Sequence, residues 1–198
     1  IVTDRAKSGT KWSAPAFASV TISDTAALQI TELMYNPVEG KAMEYIELKN
    51  ASGAPVPLTG VSFSGVNFTF SDGVLEPWRS AVIISNDDPV AFARKYPNAK
   101  ILGTFGGALS NGGEEVSLVD PDGQRISTIR YGSQTPWPEE ADGLGSSLER
   151  ISLFNSEQDL SNWRASLVPG GTPGDVILTE INRTGDGRIS VKFLALPG

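Results

Sequence analysis

Two strand-like runs near the start of the chain, Ile30-Thr31-Glu32-Leu33-Met34-Tyr35 and Glu44-Tyr45-Ile46-Glu47-Leu48-Lys49-Asn50, flank a turn that contains Pro37 and Gly40. In a strand, successive side chains point to opposite faces. Tyr45 and Glu47 therefore share one face of the second run, and Ile46 and Leu48 share the other. Alternation of this kind, bounded by turn residues, predicts the opening strand pair of a β-sandwich.

The rest of the chain keeps the same grammar. Further strands are expected at Val61–Phe63, Asn67–Phe70, Ser80–Ser85, Glu115–Val119, Arg125–Tyr131 and Ser147–Arg150. Turn chemistry separates them at Ser71-Asp72-Gly73, Asn111-Gly112-Gly113 and Asp120-Pro121-Asp122-Gly123. In the last of these Pro presets φ and Gly accepts a positive φ, as a hairpin requires. One short helix is expected at Asp88-Pro89-Val90-Ala91-Phe92-Ala93-Arg94-Lys95-Tyr96, with Asp88 as its cap, Pro89 in its first turn and Pro97 as its stop.

Three segments follow from this reading. Residues 27–174 hold a complete β domain. Residues 1–26 contain a hairpin around Lys7-Ser8-Gly9-Thr10 that resembles the end of an immunoglobulin- or fibronectin-like module. Residues 175–198 contain a second hairpin, turning at Gly185-Asp186-Gly187, that reads as the start of a following module. The chain is expected to be a piece of a longer protein.

Composition removes several functions. The chain has no Cys and no His, so disulfide frameworks, thiolate zinc sites, cysteine nucleophiles and Ser-His-Asp triads are unavailable. With 23 acidic residues against 16 Lys and Arg, the net charge of -7 argues against nucleic acid. No apolar run approaches the roughly 20 residues of a spanning helix, so membrane insertion is not expected. No cofactor is implied.

The phrases of residues 28–174 resemble, in order, those of the lamin tail domain family. The opening pair is followed by Val56-Pro57-Leu58-Thr59-Gly60-Val61, then Phe68-Thr69-Phe70-Ser71-Asp72-Gly73-Val74-Leu75-Glu76-Pro77 and the apolar Ala81-Val82-Ile83-Ile84-Ser85. Next come Ala108-Leu109-Ser110-Asn111-Gly112-Gly113-Glu114-Glu115-Val116-Ser117-Leu118, Ile129-Arg130-Tyr131-Gly132, Pro136-Trp137-Pro138 and Gly145-Ser146-Ser147-Leu148-Glu149-Arg150. Trp163-Arg164-Ala165-Ser166 and Pro169-Gly170-Gly171-Thr172-Pro173-Gly174 close the series. The chain departs from the family in carrying Val61 where Trp is common, and Ser127-Thr128 where Asp is common.

The resemblance implies an all-β, immunoglobulin-like β-sandwich that acts as a non-catalytic binding or structural module. Pro-Trp-Pro and Ser-Leu-Glu-Arg are similar to bacterial members, which implies an extracellular or cell-surface setting and a protein or cell-surface partner. Rival readings are an accessory domain that positions an enzymatic domain, a calcium- or glycan-binding module, and self-association through edge strands.

Glu44 and Glu47 suggest the carboxylate pair of a glycosidase, but three residues apart on a strand they face opposite ways. The expected role is hydrogen-bonded or solvated carboxylates near the sheet end; a pairing of Glu32 with Glu44 has nothing in its favour. Asp87, Asp88, Glu139, Glu140 and Asp142 are hard oxygen ligands suited to calcium, as are Asp120, Asp122 and Asp186, yet their spacing fits turns and caps better. Trp78, Trp137 and Tyr131 are the candidates for an aromatic recognition surface, with Trp137 in its Pro-Trp-Pro loop the foremost. Trp163 and Phe70 are expected in the core.

Overall fold

The computed structural model of the chain describes residues 27–174 in full and, outside them, the backbone of strands at residues 2–4, 7–8, 11–12, 16–18, 176–183 and 189–195. At the N-terminal end β1 (Val2–Asp4) pairs with β4 (Ala16–Ala18), and β2 (Lys7–Ser8) pairs with β3 (Lys11–Trp12). The turns expected at Gly9-Thr10 and Gly185-Asp186-Gly187, the acid Asp186 and the side chain of Trp12 lie outside the described residues.

Alternation builds the body of the molecule. The strands β5 (Leu28–Met34) and β6 (Tyr45–Asn50) form the centre of a six-stranded sheet. To one side lie β11 (Ser80–Ser85) and β12 (Ile101–Phe105), and to the other β15 (Leu148–Arg150) and β16 (Trp163–Ala165). The second sheet runs β14 (Arg125–Gly132), β13 (Gly113–Val119), β8 (Ser62–Ser64) and β9 (Phe68–Thr69). A small ladder joins β7 (Val56–Pro57) to β10 (Val74–Leu75), and β17 (Val176–Arg183) pairs with β18 (Ile189–Ala195) beyond the sandwich. This is a β-sandwich with one short helix, as the alternation predicts.

Between the sheets lies one apolar core. Leu28, Ile30 and Leu33 of β5, Ile46 and Leu48 of β6, and Ala81 and Ile83 of β11 meet Val116, Leu118, Ile129 and Tyr131 of the opposite sheet. Burial of such side chains contributes roughly 1.5–3 kcal/mol each, which makes this layer the main source of stability. Phe70 and Trp163 belong to it, as expected.

The outer face of the larger sheet is also covered. The α1 helix (Pro89–Lys95) connects β11 to β12, the parallel pair of the sheet, because antiparallel hairpin geometry cannot return the chain in the same direction. Asp88 accepts from Ala91 N at 2.9 Å, which caps the helix as predicted. Its Phe92 packs on Met34, Tyr45, Val82 and Ile84 to form a second, smaller apolar cluster.

Two irregularities decide what else the outer face carries. A β-bulge shifts the register of β5 against β6 between Ile30 and Glu32, so that Ile30 pairs with Leu48 and Glu32 with Glu47. Ile30 and Leu33 both face the core, and the extra residue leaves Thr31 and Glu32 together on the outer side. The second is the edge of β14, where loop side chains stand in for a strand: Glu157 accepts from Thr128 N at 2.7 Å and Gln158 donates to Thr128 O. That edge is closed to pairing.

Candidate functional site

On the outer face, beside the helix, the bulge brings Glu32 and Glu47 side by side on adjacent strands, both buried. The sequence offers Glu44 as a conceivable partner for Glu32; register pairs it with Glu47 instead. Glu44 sits at the start of β6 and accepts from Leu109 N at 2.9 Å, where it pins the loop before β13. Burial pushes its carboxyl up to about 7, against the pull of that hydrogen bond. None of these three glutamates is a solvated carboxylate.

Glu32 is surrounded by donors. Its Oε1 accepts from Tyr45 Oη at 2.6 Å, from Ser147 Oγ, and from Thr172 N at 2.8 Å, and its Oε2 accepts from Thr172 Oγ1 at 3.2 Å. Burial raises its pKa nonetheless. Glu47 accepts from Thr31 Oγ1 at 2.5 Å and from Gly174 N at 2.7 Å. Burial, and then the charge of Glu32, push its carboxyl up to about 8. Two carboxyls this close and this dry do not both ionise readily. Glu32, with four donors against two, is the better place for the negative charge, and Glu47 the better place for the proton. Tyr45, held well above its ordinary value by burial and by Glu32, stays a donor.

Three of these six donors come from one segment. Residues 170–174 cross the pair as a strap: Thr172 binds Glu32, Gly174 binds Glu47, and Tyr96 of the helix end donates to Gly170 O at 2.6 Å. Gly170 N donates to Gly145 O at 2.7 Å. Gly171 has φ 83, and a Cβ there would lie 2.0 Å from Tyr45 Oη and 2.4 Å from Glu32 Oε1. Only glycine lets the strap approach this closely. A surface cavity of about 250 Å³ opens on the pair and is lined by Glu32, Glu47, Thr31, Glu149, Arg150 and Thr172, among others.

A buried carboxyl near pH 8 beside a second carboxyl resembles the raw material of acid–base chemistry. Here the hydrogen bonds of both carboxyls go to the protein's own strap and hydroxyls. The arrangement is a latch for the segment through which the chain leaves the sandwich.

The aromatic candidates do not converge. Tyr131 is buried, 4.6 Å from the ring of Tyr35, and its hydroxyl donates to Ser110 O at 2.9 Å. It is core and cannot serve a surface platform, because its position on β14 faces the opposing sheet. Trp137 is half-buried against the main core, and a Cβ at Gly132 would meet its indole at 2.9 Å. Trp78 is 54% exposed in a turn where its φ is 62. The loop acids have local tasks: Asp120 accepts from Asp122 N and Gln124 N, Asp142 from Asn36 Nδ2, and Asp87 pairs with Lys41 at 2.9 Å.

A further feature was not read from the sequence. Trp163, Arg164, Ala165 and Leu167, at the β16 edge, face Pro136, Pro138 and Glu140 across a groove of about 430 Å³. Thr135-Pro136 is a cis peptide bond at its rim.

The family model of the Lamin Tail Domain matches residues 21–133. The match spans β5 to β14, while the strap and the β15–β16 ladder follow it in the chain. No curated protein matches the chain.

Proposed function

Because the chain belongs to the lamin tail domain family, a family of immunoglobulin-like structural domains that are generally non-catalytic, we propose that it is a binding and structural module of a larger exported bacterial protein, docking a protein or cell-surface component. In this reading residues 27–174 are the module, and residues 1–26 and 175–198 belong to its neighbours. Among the described residues no helix is long and apolar enough to cross a membrane.

The observation that carries the reading is the use made of Glu32 and Glu47. Both are buried carboxyls with raised pKa values, and their bonds hold Thr172 and Gly174. Each of the four carboxyl oxygens accepts at least one bond from the protein itself. The strap ties the sheet to the segment that leads into β17.

The test is a thermal melt beside an activity screen, using cell-wall glycans, peptides and calcium as probes. Native-state binding raises the melting temperature by mass action, so a shift with one protein or glycan probe supports a docking module. Product release from any glycan or peptide, abolished by Glu32→Gln, would sink the non-catalytic reading.

A further inference from the structure

The β16 strand ends the six-stranded sheet, and the ladder shows which of its backbone groups are spoken for. It pairs with β15 as Leu148 with Ala165, Glu149 with Arg164 and Arg150 with Trp163. Flanking bonds run from Ile151 N to Asn162 O and from Ser166 N to Ser147 O, both at 2.8 Å. Antiparallel ladders alternate bonded and non-bonded pairs. Arg164 therefore turns its N–H and C=O toward β15, while Trp163 C=O and both backbone groups of Ala165 face the outer edge. Trp163 N–H is taken by Leu160 O.

The edge of β14 is closed by Glu157 and Gln158, but the edge of β16 opens onto the groove. The groove's apolar walls are Leu167, 82% exposed, and the rings of Pro136 and Pro138. Its charge is negative: Glu140 lines it and Glu139 adjoins it, both exposed, while Arg164 is already engaged by Glu149 at 3.3 Å. Outward donors and acceptors along a strand edge match the backbone of an extended polypeptide. Apolar walls and an acidic rim specify the side chains.

Resting on the reading of this chain as a docking module, we propose that the β16 edge takes an extended segment of a partner protein as an added strand. Its backbone pairs with Trp163 C=O and Ala165. One apolar side chain lodges against Leu167 and Pro136, and a neighbouring Lys or Arg faces Glu140. A second copy of this chain suits the acidic rim poorly, since the chain itself carries a net charge of -7.

The experiment pans a random displayed-peptide library on the wild type, then measures the enriched clones on Ala165→Pro and Leu167→Asp. Proline at 165 removes an N–H that faces away from β15, a position where edge strands tolerate it. Leu167→Asp changes only an exposed side chain, so it keeps the test decisive if the proline variant fails to fold. The expected result is apolar-plus-basic clones whose affinity falls about tenfold or more in both variants. Clones that bind all three proteins alike would overturn the groove and leave the docking-module reading standing. No enrichment would also overturn the groove. Concentration-dependent light scattering that disappears in both variants would assign the edge to a second copy, against the proposal.

Discussion

On its inner face the six-stranded sheet presents Ile30, Leu33, Ile46, Leu48 and Ile83 to the opposing sheet, and on its outer face the same strands present Glu32, Tyr45, Glu47 and Ile84. Both faces are buried. The inner one is held by apolar contact, which is non-directional and indifferent to pH. The outer one is part apolar under the helix and part polar under the strap, where short hydrogen bonds fix both distance and direction. The same alternating strands thus supply stability on one side and a fixed exit path for the chain on the other.

Deleting a large inner side chain should give the greatest loss. Phe105→Ala, at a fully buried ring, is expected to cost about 3–5 kcal/mol in denaturant unfolding, with little change in the cost between acid and alkaline buffer. A loss confined to one pH range would blur the distinction between the faces.

Gly171→Ala attacks the outer face where it is tightest. The new methyl would collide with Tyr45 Oη and Glu32 Oε1 at a backbone φ of 83. The expected cost is roughly 2–3 kcal/mol, accompanied by faster amide exchange at Thr172 and Gly174. Slow exchange at those amides in the variant would show that the strap does not depend on the close approach.

The pH response should come from the outer face. Glu32 takes the charge of the pair, and Glu47, raised from 4.5 to about 8, keeps the proton in the folded state. The contribution of Glu47 is complete below about pH 4.5 and is lost as pH rises through about 8. Melting curves of the wild type and Glu47→Gln, compared across that window, should diverge, the wild type losing more stability toward alkaline pH. Parallel curves would mean that Glu47 does not hold the proton.

The smallest effect concerns the helix that covers the apolar half of the outer face. Asp88→Ala removes the cap on Ala91 N and is expected to cost about 1 kcal/mol, read as a lower denaturation midpoint with an unchanged slope.

Much of the inner face was legible in the residues. Period-two alternation in Tyr45–Leu48 places the apolar side chains on the correct sides, the apolar run Ala81–Ile84 marks a strand buried on both faces, and Asp88-Pro89 marks the helix start. The short ladders of β7, β10 and β16 were not legible, since two or three residues carry no period. The β12 strand was hidden by Gly103, which lowers strand propensity; the structure requires it because a Cβ there would lie 2.4 Å from the ring of Phe68.

The outer site was illegible for a different reason. Glu32 reaches Glu47 only because the bulge at Thr31 breaks the alternation, and a bulge of one residue leaves no pattern behind. The phrase Pro169-Gly170-Gly171-Thr172-Pro173-Gly174 reads as a turn until its glutamate partners, 127 and 140 residues earlier in the chain, are seen. Tyr131 misled through its chemistry: an aromatic with a hydroxyl suits a surface, but its alternation with Arg130 already pointed it inward.

The strap gives the molecule a mechanical property. A pull on β17 would reach the sandwich first at Gly174 and next at Thr172. These anchors lie one after another along the chain, so they peel singly, whereas the ladders of β5 and β6 share a shearing force across many bonds at once. Freed and drawn straight, residues 170–174 span up to roughly 17 Å. The length of chain held by the two glutamates is thus separate from the ladders that hold the sheets.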